Sequence, residues 1–165
     1  MISEKMQKAF NDQINAELYS SYIYLSMSAF CESENYGGFA EWFRLQAAEE
    51  NGHAYKLMHH LYERGGKVVL KAIDEPPADF GSIKDAFVMT LEHERKVTSM
   101  IHGLYKLASD EKDYAAMSHL QWFINEQVEE EDSAEKILRQ IEMVGAKPGN
   151  LFYIDRHVTR TRESS

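Results

Sequence analysis

Proline and cysteine are scarce in this 165-residue chain: three prolines, at Pro76, Pro77 and Pro148, and one cysteine, Cys31. A single thiol excludes an internal disulfide framework and any zinc cluster built on several cysteines, and it fits a reducing compartment. Positive charge is also in deficit, with 18 Lys plus Arg against 27 Asp plus Glu and a formal net charge of −9. That balance repels nucleic-acid backbones and anionic membranes. There is no apolar run of membrane-spanning length, and the first ten residues carry Glu4, Lys5 and Lys8 in place of the apolar centre of a signal peptide. Neither a fixed-period repeat nor a low-complexity tract is present. The expectation is a soluble, cytoplasmic protein with no nucleic-acid or membrane partner. Its length suits one domain that buries roughly two-thirds of its unfolded surface.

What is present is helix-forming sequence. The glycines gather at Gly37-Gly38, Gly65-Gly66, Gly81, and Gly145 with Gly149, and with the prolines they punctuate four segments rich in Ala, Glu, Leu, Met and Lys. The pattern predicts helices over 3–34, 38–64, 82–109 and 113–143. Ser82 and Asp85 make a capping-box pattern before the third, and Gly145 is a left-handed stop after the fourth. The short first and third connections make antiparallel hairpins, whereas Gly65 to Phe80 is too long for a turn and reads as a crossover. The predicted class is all-α: a four-helix bundle with one long crossover that sets the second and third helices parallel, and a short fifth helix over 148–158. Residues 1–158 form the one domain, and 159–165 read as a disordered tail.

At about 100° per residue, each helix places acids on the face where leucines belong. Glu50 and His53 fall on or beside the second helix's stripe of Phe39, Phe43, Ala54, Leu57 and Leu61. Glu94 sits near the centre of Ile83, Phe87, Val97, Ile101 and Tyr105, and Gln127 and Glu130 share a face with Leu120, Phe123, Ala134 and Leu138. On the first helix Glu17 and Tyr24 lie one double turn apart. Glu17 is about 19 residues before the first hairpin turn, while Glu50 and His53 are about 14 to 17 after it; Glu94, Gln127 and Glu130 repeat this in the second hairpin, so all reach one level. Buried acids without Lys or Arg beside them need another cation. Two divalent ions neutralise four carboxylates, and oxygen donors with one imidazole suit iron or manganese better than zinc. A pair of ferrous ions can together give dioxygen the two electrons that make peroxide, so the chemistry expected here is redox.

The other candidates read more plainly. Tyr24, seven residues after Glu17, either packs in the core as any tyrosine does or places its hydroxyl within reach of the expected metals. Glu49 lies at the margin of its stripe, and Glu126 and Glu129 drift off theirs toward water or an accessory metal beside Glu130. Trp122 and the eight methionines read as core packing, and His59, His60, His93, His102, His119 and His157 as ordinary residues without partners at ligand spacing.

Glu17, Tyr24, the run Ala48-Glu49-Glu50-Asn51-Gly52-His53-Ala54, Glu94, and Asn125-Glu126-Gln127 followed by Glu129-Glu130 resemble the bacterial non-haem ferritins. The resemblance runs from the N-terminus to about His157. It implies a ferritin-like bundle in which Glu17, Glu50 and His53 hold one iron and Glu50, Glu94 and Glu130 the second, with Glu50 bridging and Gln127 close by. Glu49, Glu126, Glu129 and Glu130 match the family's third iron site, and Tyr24 stands beside the pair. It further implies a ferroxidase that oxidises Fe(II) with dioxygen or hydrogen peroxide and stores hydrated ferric oxide in a hollow homo-oligomeric shell of 24 subunits. Relatives with a permanent di-iron cofactor carry a second Glu-x-x-His, where this chain has Gln127 and Glu130. No haem is expected, because no methionine stands in the Asn51-Gly52 neighbourhood. The competing readings are a di-iron oxidase or peroxide-scavenging enzyme in a small oligomer, and a metal-free structural bundle.

Overall fold

Helix ends in this chain are set by a few side chains and by one repeated turn. The computed structural model describes residues 1–158, so the tail expected over 159–165 lies outside the described residues. The described chain forms α1 (Glu4–Ser33), α2 (Gly37–Glu63), α3 (Ile83–Asp110), α4 (Tyr114–Val144) and α5 (Pro148–His157). The four long helices agree with the sequence expectation to one residue at each end. Side-chain oxygens of Ser3, Ser82 and Asp113 accept from the N–H of Met6, Asp85 and Ala116 and so begin α1, α3 and α4. The turns after α1, α2 and α3 close alike. Asn35, Gly65 and Lys112 take positive φ, and the next amide, of Tyr36, Gly66 or Asp113, reaches back to the carbonyl of Cys31, Leu61 or Ala108. Gly145 also has positive φ, but its ψ of 147° is extended instead of left-handed helical. The chain there leaves straight toward Pro148, which opens α5.

The crossover climbs along α1. Asn11 Nδ2 donates to the Lys67 carbonyl at 2.9 Å and its Oδ1 accepts from Val69 N–H at 2.8 Å, Asn15 holds the Ala72 carbonyl at 3.1 Å, and the Ser26 hydroxyl donates to Pro77. Phe80 then meets Phe30 edge to face at 5.6 Å. Because residues 67 to 80 ascend beside residues 11 to 30 of α1, α3 starts at the same end as α2 and runs parallel to it.

Two apolar clusters fill the bundle. One, at the end carrying α5, contains Tyr24, Met27, Phe39, Phe43, Phe87 and Ile141; the other contains Phe10, Leu57, Leu61, Ile101, Leu120 and Phe123. Each such side chain, fully buried, contributes about 1.5–3 kcal/mol. Glu17, Glu50, His53, Glu94, Gln127 and Glu130, all buried, lie in neither cluster but in the layer between them.

The N-terminus of α2 has no local capping side chain. Asp155 of α5 serves instead, its Oδ1 accepting from Phe39 N–H at 2.8 Å, while Leu151 and Ile154 bury in the adjacent cluster. Gly38 makes this approach possible, since a Cβ there would sit 1.8 Å from the Asp155 carbonyl oxygen. Gly38→Ala is therefore expected to undock α5, with a loss of about 1–3 kcal/mol. Hydrogen exchange checks this: protection should fall across 148–157, and an unchanged pattern there would refute the role given to Gly38.

Candidate metal centre

Each long helix sends one or more acids into the middle layer. Glu17 comes from α1, Glu50 and His53 from α2, Glu94 from α3, and Glu126 and Glu130 from α4, and Glu17, Glu50, Glu94 and Glu130 are each only 1% exposed. They form three overlapping groups whose ligand atoms lie within 4.8 Å of one another: Glu17, Glu50 and His53; Glu50, Glu94 and Glu130; and His53, Glu126 and Glu130. His53 is the basic side chain among these acids. Its Nδ1 lies 3.0 Å from Glu50 Oε2 and 3.9 Å from Glu17 Oε2, and its Nε2 lies 3.7 Å from Glu126 Oε1.

Neutral donors hold the carboxylates in place. Gln127 Nε2 donates to Glu94 Oε2 at 3.1 Å and to the Glu94 carbonyl and the Thr98 hydroxyl oxygen, and the Tyr24 hydroxyl donates to Glu94 Oε1. Gln13 Nε2 donates to Glu17 Oε1 at 2.9 Å, and Gln46 Nε2 donates to Glu130 Oε2 and to Glu50 Oε1. Sequence reasoning missed both of these glutamines. The signal was available, since each stands four residues before an inward glutamate and so one turn away on the same face.

The remaining expectations divide. Glu126 is buried against His53 instead of leaving the apolar face, because it precedes Glu130 by four residues and shares its side of α4. Glu49 is half-buried and Glu129 exposed, and among the described residues neither joins the three groups. Trp122 meets His53 edge-on at 5.4 Å and carries Lys56 Nζ 3.8 Å above its ring, so it packs on the centre as well as on the core. His93 lies 2.8 Å from the Ser20 hydroxyl and edge-on to Tyr24, and His60 stacks on His119 at 4.3 Å.

Burial governs the electrostatics. Glu17 is raised well above the usual carboxylate range by burial and by Glu50. Burial and neighbouring acids push Glu50 up to about 7 and Glu94 up to about 8. For His53 burial acts downward, but Glu50, Glu126 and Glu17 outweigh it and push the imidazole up to about 11. All these groups hold protons in the folded chain that they release when unfolded: the carboxylates from about pH 4.5 to their raised values, His53 from about 6.5 upward. Their stabilisation is complete below those unfolded values and is lost as pH rises. Chelator-stripped protein should accordingly melt at lower temperature at pH 8.5 than at pH 5.5. Glu94→Gln should raise stability at pH 8.5 by about 1–3 kcal/mol and flatten the dependence; a melting temperature that climbs over this window would contradict the assignment.

The comparisons with known proteins agree with this geometry. Residues 7–144 match the Ferritin family model, the ferritin-like domain. A bacterial non-heme ferritin of Bacteroides fragilis is 43% identical over 155 residues, covering 94% of this chain and 96% of that protein. One from Staphylococcus aureus is 36% identical over 162 residues, covering 98% of both. An open pore ferritin from the hyperthermophilic archaeon Archaeoglobus fulgidus superposes with a TM-score of 0.93 at 45% identity, over 95% of this chain and 97% of its own. With the four-helix architecture, the short fifth helix and the buried carboxylate layer already described, these matches establish that the chain belongs to the ferritin family.

Proposed function

We propose that this chain stores iron, and that its middle layer is a ferroxidase centre where Fe(II) is substrate. The observation that carries the reading is the overlap of the three ligand groups, in which Glu50, His53 and Glu130 each belong to two. Glu17, Glu50 and His53 take one ferrous ion and Glu50, Glu94 and Glu130 the other, with Glu50 between them. Each Fe(II) gives up one electron, and dioxygen takes the two electrons with two protons to leave as hydrogen peroxide. Hydrogen peroxide itself is an alternative two-electron acceptor, reduced to two waters. Gln127 and Tyr24 orient Glu94 through its two oxygens. Oxygen-rich ligation with one imidazole suits iron that must move on.

The third site follows on the same side of α4. Glu126 and Glu130 already lie with His53, and Glu49 and Glu129 stand next in sequence to Glu50 and Glu130 on less buried positions. Together Glu49, Glu126, Glu129 and Glu130 take ferric product on its way to a mineral of hydrated ferric oxide. The mineral lies inside a shell of 24 copies, a reading supported by the similarity to ferritins. Among the described residues no helix is long and apolar enough to cross a membrane.

The test adds a large excess of ferrous iron to the protein in air and passes it through a sizing column. Iron far beyond three per chain should travel with a shell-sized particle. A small particle holding a few irons per chain, with the excess precipitating, would favour a di-iron oxidase instead. Glu130→Ala should slow oxidation and weaken occupancy of the second position by about 10- to 100-fold, and unchanged values for both would remove Glu130 from the site.

A further inference from the structure

Gln13 and Gln46 are a matched pair. Each is a buried amide one turn before a ligand glutamate of the first hairpin, and each donates into the layer: Gln13 to Glu17, Gln46 to Glu50 and Glu130. The targets differ in a telling way. Glu17 belongs only to the group with Glu50 and His53, whereas Glu130 belongs to the all-carboxylate group and to a third group with His53 and Glu126. Gln46 also ties α2 to α4 across the bundle, whereas Gln13 acts within α1.

Gln46 faces both acids with its amide nitrogen. Turned over, its Oε1 would point at two carboxylates; as it stands, Nε2 serves both acids and Oε1 is left buried with no hydrogen-bond partner. A buried acceptor without a donor destabilises a fold, and an apolar side chain of the same length would avoid the penalty. Stability therefore does not account for this amide. Carboxylate ligands held by outer hydrogen bonds bind metal in a defined position, and such outer partners are worth about 10- to 100-fold in affinity.

We propose that Gln13 and Gln46 are positioning residues with separate assignments: Gln13 sets Glu17 for the imidazole-containing position, and Gln46 sets Glu130 for the all-carboxylate position. This rests on the two-metal reading above. Each amide acts through the carboxylate it holds and does not itself touch the metal. The affinities of the two positions are thereby tuned by different helices and are separable by substitution.

The experiment titrates chelator-stripped, fully assembled protein with Co(II) under anaerobic conditions and follows the visible ligand-field bands. An imidazole-containing position and an all-oxygen one have different bands, so the two equivalents are read apart. Gln46→Met should weaken the all-oxygen equivalent by about tenfold and shift its bands, with a smaller effect on the other through the shared Glu50, and Gln13→Met should weaken the imidazole-containing equivalent and leave the all-oxygen one intact. Gln46→Asn and Gln13→Asn keep the amide but shorten its reach, and give the same crossed pattern should a methionine variant fail to fold. Equal weakening of both equivalents by either substitution, or no change in either, overturns the separate assignments. Failure of the unsubstituted protein to take up two Co(II) per chain overturns the two-metal reading itself, which distinguishes the two failures.

Discussion

A layer of carboxylates sealed between two apolar plugs is the constraint on which the rest of this molecule depends. Four glutamates from four helices are almost fully withdrawn from water, and the basic side chain paired with two of them, among the described residues, is the His53 imidazole. Such a layer opposes folding, and what offsets it is packing on either side: phenylalanines and Tyr24 toward α5, and Phe10, Phe123 and several leucines at the other end. The bundle is a stable frame around an unstable middle. Proton uptake by Glu17, Glu50 and Glu94 moderates the repulsion, and on the proposed reading the metal ions compete with those protons for the same oxygens.

The geometry of the frame follows from that layer. Bringing one acid per helix to a single level requires hairpins of matched arm length and a connection that returns the chain to the starting end. The crossover meets the second requirement by lying along α1, held by Asn11, Asn15 and Ser26. Sharing of ligands then does the chemical work. On the proposed two-metal reading, Glu50, His53 and Glu130 each face two neighbouring groups, so that an ion passes between positions without leaving all of its ligands at once.

Much of this was legible from residue spacing, and the exceptions have physical causes. Apolar periodicity marked the four long helices, and the acids of the middle layer stood out because they interrupted it. Glu126 was left between water and an accessory metal because helical drift was counted from the apolar stripe, although its four-residue step to Glu130 already placed it inward, where it groups with His53 and Glu130. Gln13 and Gln46 escaped notice because an amide on an inward face looks like a tolerated polar residue until the carboxylate one turn later is seen to need a donor. The cap on α2 had no local signal at all, since Asp155 is more than a hundred residues from Phe39. The stacking of His60 on His119 is likewise a product of three-dimensional packing that helix periodicity does not encode.

That distant cap also bears on the order in which the chain can finish folding. During synthesis from the N-terminus, α1 and α2 can pair early through their short turn, yet the first turn of α2 lacks its capping carboxylate until residue 155 has emerged. The helix that carries Glu50 and His53 is thus completed only once α5 has been made. A nascent bundle truncated before α5 would hold every ligand of the middle layer and still leave the start of α2 frayed.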